Sequence, residues 1–355
     1  MAVKVGIPGA LLFYLYFPMW QAFFNEIGVQ VVPSGRTTKS IMDKGIREAL
    51  ADACVPIKLF YGHVMDLKGK VDYLFIPRVV CLNRKTVYCP KFLGLPDMIK
   101  YSVDDVPPII NVRMDSRQGR FAILKAYCEI GKYFGAGKLS VIRAYLKAAG
   151  IHYHYNRLLR KGWSPLEAME LLKNPGADKI CRPPKANLKF AILGYPYAIY
   201  DSFISVSIVE KLRQLGVMVM TAENIHPALL ALQKNCDLPK RLFWTLSDIV
   251  LKAAHLLFKR GRIDGVLHLT AFGCGPDSLL NKLIEMEAKK HRNIPFMTLM
   301  IDEHTGEAGM ATRLEAFVDM VRRRKEAEAC RRELSPGWGN PGELLRCCWR
   351  IWAMK

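Results

Sequence analysis

LKFAILGYP (188–196), VEKLRQLG (209–216) and VMVMTAEN (217–224) follow one another in the second half of the chain, and VKVGIPG (3–9), FFNEIG (23–28) and VQVVPS (29–34) follow one another in the first. Each series opens with a short apolar strand that breaks at glycine and proline. A helix closed by glycine comes next, then a second strand. Both halves continue with a helical stretch and a strand that carries an aspartate, VDYLFIPRV at 71–79 and IDGVLHLTAF at 263–272. A duplicated β-α-β unit explains the echo, and helices alternating with short β-branched strands call for parallel sheets. The expected architecture is α/β: two doubly wound, Rossmann-like or flavodoxin-like parallel-sheet domains at 1–110 and 188–326, joined by a helical connector at 111–187. Turn residues, three tryptophans and the Cys347-Cys348 pair set the segment 327–355 apart as a tail without that rhythm.

At 355 residues, 51% hydrophobic and 24% charged, the chain is long enough for two domains with real cores. Val5 to Asn25 has no charged residue, but Pro8, Gly9 and Pro18 interrupt it and only Lys4 precedes it, so neither a membrane span nor a signal peptide is expected. Ten cysteines without a secretory signal suit a reducing compartment, and the cytoplasm is the expected location. The formal charge of +20 is scattered, with its densest runs at Arg322–Lys325, Arg331-Arg332 and Arg157–Lys161. Neither aromatic interleaving nor a single basic stripe accompanies them, so acidic or phosphorylated partners are expected and nucleic acid is not.

Three cysteines stand in turn-forming contexts: Cys54 in ACVP, Cys89 in YCPK and Cys274 in FGCGPD. Glycine and proline beside a cysteine let the backbone bend toward an inorganic core and leave amide N–H groups free to face its sulfides. Cys274 follows an apolar strand in a Gly273-Cys274-Gly275 turn that opens a helix, and Cys54 stands at a helix start with Pro56 just inside it. Helix starts favour thiolate, the form that binds iron, and open α/β sheets gather ligands at the carboxyl ends of their strands. The three read as ligands of an iron–sulfur cluster, with Gly273 and Gly275 lining it. Three thiolates on a [4Fe–4S] core leave the fourth iron open. Cys81 stays undecided between extra ligand, redox partner and strand-end thiol. Cys128, Cys181, Cys236 and Cys330 read as small hydrophobes, and His152 and His154, two apart, point to different faces of a helix. The chain has no Cys-x-x-Cys pair for zinc, GIPG at 6–9 is not a dinucleotide fingerprint, and no phosphate-loop lysine follows a glycine run.

Four stretches carry a resemblance: DACVPIKLFYGHV (52–64), FIPRVVCLNRKTVYCPKFLGLPDMIK (75–100), HLTAFGCGPDSL (268–279) and MIDEHTGEAGMATRLEAF (300–317). They resemble DUF2229, the CoA-protein-activase-related family, which is similar to the cluster-bearing subunits of 2-hydroxyacyl-CoA dehydratases and benzoyl-CoA reductases and to the double-cubane cluster proteins. The resemblance runs over about residues 3–326 and implies a cluster, [4Fe–4S] or double-cubane [8Fe–9S], held by Cys54, Cys89 and Cys274 in an oxygen-sensitive protein of anaerobes. It also implies low-potential electrons from a separate ATP-hydrolysing activase with its own cluster, and a homodimeric or heterodimeric assembly. An electron-relay or accessory protein for an acyl-CoA dehydratase system is the alternative. Among the shared residues, His63 can donate to a sulfide, deliver a proton or fill a capping or core place. Glu303 and His304, in the polar run 302–307, stand where a proton relay would sit. Lys58, Arg78 and Lys91 are the cations expected beside the cluster and on the activase-docking surface.

Overall fold

The computed structural model describes residues 2–174, 186–233, 238 and 240–333, the last three by backbone alone. Cys181, Cys236 and the Cys347-Cys348 pair lie outside the described residues. The first half runs β1 (Lys4–Ile7), α1 (Phe13–Glu26), β2 (Gln30–Pro33), α2 (Lys39–Glu48), α3 (Val55–Leu67), β3 (Tyr73–Phe75), β4 (Arg78–Cys81), α4 (Pro90–Ser102), β5 (Ile109–Ile110) and β6 (Arg113–Asp115). Three helices follow, α5 (Ala122–Lys132), α6 (Lys138–Arg160) and α7 (Pro165–Lys173). The second half contains β7 (Leu188–Leu193), α8 (Pro196–Ile199), α9 (Ile208–Gln214), β8 (Val217–Met220), α10 (Pro227–Ala231), α11 (Thr245–Arg260), β9 (Gly265–Ala271), α12 (Gly275–Lys290), β10 (Phe296–Ile301) and α13 (Glu307–Glu333).

Both four-stranded sheets are parallel, and their strand orders are the same: β2-β1-β3-β5 in the first and, read from the other edge, β8-β7-β9-β10 in the second. In each sheet the chain leaves the first strand to one side and returns on the other. The duplicated unit therefore has the 2-1-3-4 order of a doubly wound fold, and its strand order reverses between β1 and β3 and between β7 and β9. The carboxyl ends at that reversal form the crevice where such sheets bind ligands. The strands are short apolar runs because helices cover them; β7 and β9 are buried along nearly their whole length. The first unit adds a separate parallel pair, β4 and β6, so a strand at Arg113–Asp115 precedes the helices of the connector expected at 111–187. At the other end, α13 crosses residue 327 without interruption to Glu333.

One buried apolar cluster runs through both sheets and includes Cys54 and Cys274. Within it, α3 is buried on all sides, from Val55 through Val64. Its close neighbour is α2, and glycine makes that approach possible: a Cβ on Gly45 would stand 2.0 Å from the Lys58 carbonyl oxygen, and one on Gly62 would stand 2.0 Å from the Ile41 carbonyl oxygen. Among the described residues no helix is long and apolar enough to cross a membrane. The uncharged stretch becomes β1 and the 14-residue α1, which the Tyr155 hydroxyl anchors by donating to the Tyr14 carbonyl at 2.6 Å.

Gly62→Ala and Gly45→Ala should each destabilise the protein by at least the ~1–3 kcal/mol of an overpacked core, because a backbone carbonyl, not a side-chain tip, must give way. Denaturant midpoints at unchanged slope would show it. Midpoints equal to the parent's would mean that the two helices do not touch there.

Candidate metal centre

Cys54, Cys89 and Cys274 are each the residue immediately before a helix: Cys54 caps α3, Cys89 caps α4 and Cys274 caps α12. Each helix carries proline in its first two positions (Pro56, Pro90, Pro276), where a missing N–H costs nothing and the fixed φ suits a helix start. None of the three starts has a side-chain cap, so the first-turn N–H groups are left to the sulfurs and to whatever lies before them. Backbone N–H groups of Ile57, Lys91 and Asp277 act on the sulfurs of Cys54, Cys89 and Cys274 respectively and favour thiolate.

The three helix starts converge on one small cavity of about 30 Å³, at the crevice where the strand order reverses. Leu11 after β1, Cys54 and Ile57 at the start of α3, Tyr88, Cys89, Lys91 and Phe92 at α4, Tyr195 and Tyr197 after β7, Trp244 and Leu246 at α11, and Cys274 after β9 line it. Gly273, at φ +74°, makes the turn that delivers Cys274; its α-carbon faces Cys54, and a side chain there would be strained. Gly275 begins α12, with open space where a Cβ would point.

Cys54 and Cys274 titrate as a pair. The interaction between their sulfurs above all draws the Cys54 thiol down; burial opposes it and the Lys91 ammonium assists. The same interaction, followed by burial and the Asp277 charge, holds Cys274 protonated. Burial also pushes the Cys89 thiol up. Tyr195 and Tyr197 stay neutral phenols, chiefly through burial, and Tyr195 is tied to Ser247 at 2.7 Å.

The remaining expected site residues are placed differently. The Cys81 sulfur ends β4 fully buried, where it accepts from the Ser116 hydroxyl at 3.6 Å and faces Asn83 at 3.8 Å; it does not line the cavity. His63 lies nine residues along α3 from Cys54, about 14 Å at the helical rise. It is fully buried and belongs to a hydrogen-bond chain joining the two halves. The Gly9 N–H donates to Ser34 Oγ at 2.7 Å, which leaves the Ser34 hydroxyl to donate to His63 Nδ1 at 2.8 Å. His63 Nε2 then donates to Thr37 Oγ1 at 3.0 Å, whose hydroxyl donates to Asp201 at 2.5 Å. Burial draws the His63 imidazole down to about 4, so it is neutral at physiological pH. Its place is structural, and a sulfide bond or proton delivery at the cysteines is out of its reach.

Glu303 binds Lys58 Nζ at 2.8 Å, and that bond keeps its carboxylate ionised below its ordinary range. The pair ties the first turn of α3 to the loop after β10, so Lys58 is neither solvated nor free. His304 is exposed, and its backbone N–H donates to Asp302 at 2.9 Å. Arg78 is engaged by both oxygens of Asp97. Of the expected cations, Lys91 alone lines the cavity.

Sequence reasoning missed Tyr195, Tyr197 and Trp244. GYP at 194–196 echoes GIPG at 6–9 and could have marked the two tyrosines as the second crevice loop. Trp244 has no local signal. It is placed by a short parallel pairing in which Val87 N–H donates to the Phe243 carbonyl at 3.1 Å and Thr245 N–H donates to the Val87 carbonyl at 2.8 Å. Thr86 and Thr245 hydroxyls meet beside it at 3.0 Å.

Among the described residues no three His, Cys, Asp or Glu side chains converge closely enough to hold a single metal ion. Thiolates on an iron–sulfur cube bind different irons and stand around a body, as the three cysteines here stand around a cavity. Apart from the three thiols and Lys91, the lining is chiefly aliphatic and aromatic. Five buried side-chain nitrogen or oxygen atoms lack a hydrogen-bond partner among the described residues, and one of them, Nε1, belongs to Trp244, a residue of this wall.

Residues 4–225 match the family described as the CoA enzyme activase uncharacterised domain, DUF2229. The chain belongs to this family. Residues 248–321 of this DUF2229 protein further match the D-component of 2-hydroxyglutaryl-CoA dehydratase, and none of the curated proteins matches the chain. The DUF2229 stretch supplies Cys54 and Cys89, and the dehydratase-like stretch supplies Cys274, so the two meet at the cavity.

In cluster-free protein, Cys54 should react with iodoacetamide along a pH curve centred below that of an ordinary thiol, and Cys274→Ala should move that curve upward by removing its partner sulfur. Peptide mapping of the alkylated thiols measures it. A curve centred near an ordinary thiol value in both proteins would refute the paired titration.

Proposed function

We propose that this chain is the cluster-bearing redox component of a 2-hydroxyacyl-CoA dehydratase-like system, with Cys54, Cys89 and Cys274 as protein ligands of a [4Fe–4S] or larger, double-cubane cluster. The observation that carries the reading is the convergence of three proline-marked, uncapped helix starts, each led by a cysteine, on one cavity. When bound, such a cluster would supply one-electron chemistry at low potential and an iron without a protein ligand. The chain's own residues do the rest. Helix N-terminal N–H groups offset the negative charge of thiolate and sulfide, Lys91 adds a full positive charge, and the aromatic and aliphatic wall keeps water out.

In this reading the protein is cytoplasmic, works as a homodimer or heterodimer, and takes its electrons from a separate ATP-hydrolysing activase. Phe243 and Phe272, 65% and 60% exposed, flank Trp244 and the Cys274 turn and offer that partner an apolar rim. The second reading, an electron relay or accessory protein without its own turnover, draws on one observation. Glu303 and His63 are held in bonds elsewhere and His304 is exposed, so none of the three expected acid–base groups lines the cavity. A small exogenous ligand that perturbs the cluster's spectrum would favour catalysis over relay.

Anaerobic reconstitution followed by iron and sulfide analysis tests the ligand set. Cys54→Ser, Cys89→Ser and Cys274→Ser should each lose most of the iron, because a hydroxyl is a poor substitute for thiolate. Cys81→Ser and Cys128→Ser should keep the parent's content. Equal loss in all five, or a parent without iron, would sink the proposal.

Electron supply gives a separate test. Reduction should be fast only with an activase and ATP, and Lys91→Ala should slow it and lessen its salt dependence with iron unchanged. Arg78→Ala should act instead on stability, because its partner Asp97 is on α4. Equal reduction without ATP would replace the activase by an ordinary donor.

A further inference from the structure

The indole N–H of Trp244 is buried and has no hydrogen-bond acceptor among the described residues, and Trp244 is one of the residues that line the cysteine cavity. An unpaired buried donor costs about 1–3 kcal/mol, and indole can only donate, so no rotation of its own hydrogen relieves it. Its position is also fixed. The pairing of Val87 with Trp244 runs two residues ahead of Cys89, so one short ladder sets both the ligand and the indole. Thr86, which backs that ladder, is buried and held by Thr245 and by Asn83 at 2.8 Å. A donor positioned this firmly and left without a partner matches an acceptor that arrives with the contents of the cavity. The phenols that line the same cavity, Tyr88, Tyr195 and Tyr197, are not that acceptor, since none of them is hydrogen-bonded to the indole.

Resting on the proposed cluster, we propose that Trp244 Nε1–H donates a hydrogen bond to a sulfur of that cluster and so raises its reduction potential. Negative charge grows on the sulfurs when the cluster takes up an electron, and a donor to sulfur stabilises the reduced form more than the oxidised one. The bond also explains why the segment 243–245 crosses from the second half to pair with 86–88 in the first. Trp244 here is a tuning residue, not a ligand.

Trp244→Phe keeps an aromatic ring in the wall and removes the N–H. After anaerobic reconstitution the variant should hold the parent's iron and sulfide, but its midpoint should lie lower. At a fixed solution potential its reduced-to-oxidised ratio should fall by up to about tenfold, equivalent to about 59 mV for one electron. In parent protein with ¹⁵N-labelled indoles, the Trp244 N–H signal should shift or broaden on loading, whereas that of Trp20, in the core of the first half, should not. An unchanged midpoint in a fully loaded variant would overturn the proposal. If the variant fails to hold iron, the parent's indole signal decides, and a Trp244 signal untouched by loading overturns it equally. Absence of iron from the parent would refute the cluster itself.

Discussion

A helix that begins without an oxygen cap leaves its first-turn N–H groups to whatever lies before them, and this chain brings three such beginnings, each fronted by a sulfur, to one place. That concentration of positive dipole ends would be costly around an empty apolar space. It is tolerable around thiolates, and more so around an anionic inorganic body. The prolines at the three starts, the glycine turn before Cys274 and the paired titration of Cys54 and Cys274 all follow from the same constraint. The doubly wound sheets supply the geometry, since only the ends of strands on both sides of a reversal can aim helices from two halves at a common point.

The parts of this arrangement that were legible in the sequence are those specified locally. The duplicated doubly wound unit was implicit in the echo between VKVGIPG and LKFAILGYP, because each step of that echo is a strand, a turn and a helix with its own residue signature, whereas the 2-1-3-4 order is seen only in the folded sheets. The cysteine contexts could be read for the same reason: proline just inside a helix and glycine at a positive φ are short-range demands. What could not be read depends on distant partners. His63 looks from its neighbours like a site residue, and only the arrival of Ser34, Thr37 and Asp201 assigns it to a buried connection. Cys81, eight residues before Cys89, is turned into its own strand pair by β6. Trp244 gives no sign in its own segment, since Val87, far away in sequence, sets its position.

Charge follows a similar division. The net charge of +20 describes the surface, but the cations nearest the cysteines are largely committed. Lys58 is nearly inaccessible and paired with Glu303, and Arg78 is clasped by Asp97. Such pairs hold elements together more than they attract partners, since a bound cation projects little field beyond its counter-ion. Lys91 remains as the charge that the cavity itself feels.

The stitches between the halves, Lys58 to Glu303, Thr37 to Asp201 and Val87 to Trp244, have a consequence for biosynthesis. Cys54 and Cys89 leave the ribosome early, and Cys274 emerges only after about half of the chain has followed, a wait on the order of ten seconds or more at ordinary rates of translation. During that interval the first half can fold around two thiols, but the wall formed by Tyr195, Tyr197 and Trp244 does not yet exist. A nascent chain therefore presents an incomplete and open cradle, exposed to oxidants and to stray metal. The cradle closes only when synthesis has reached the second half of the chain.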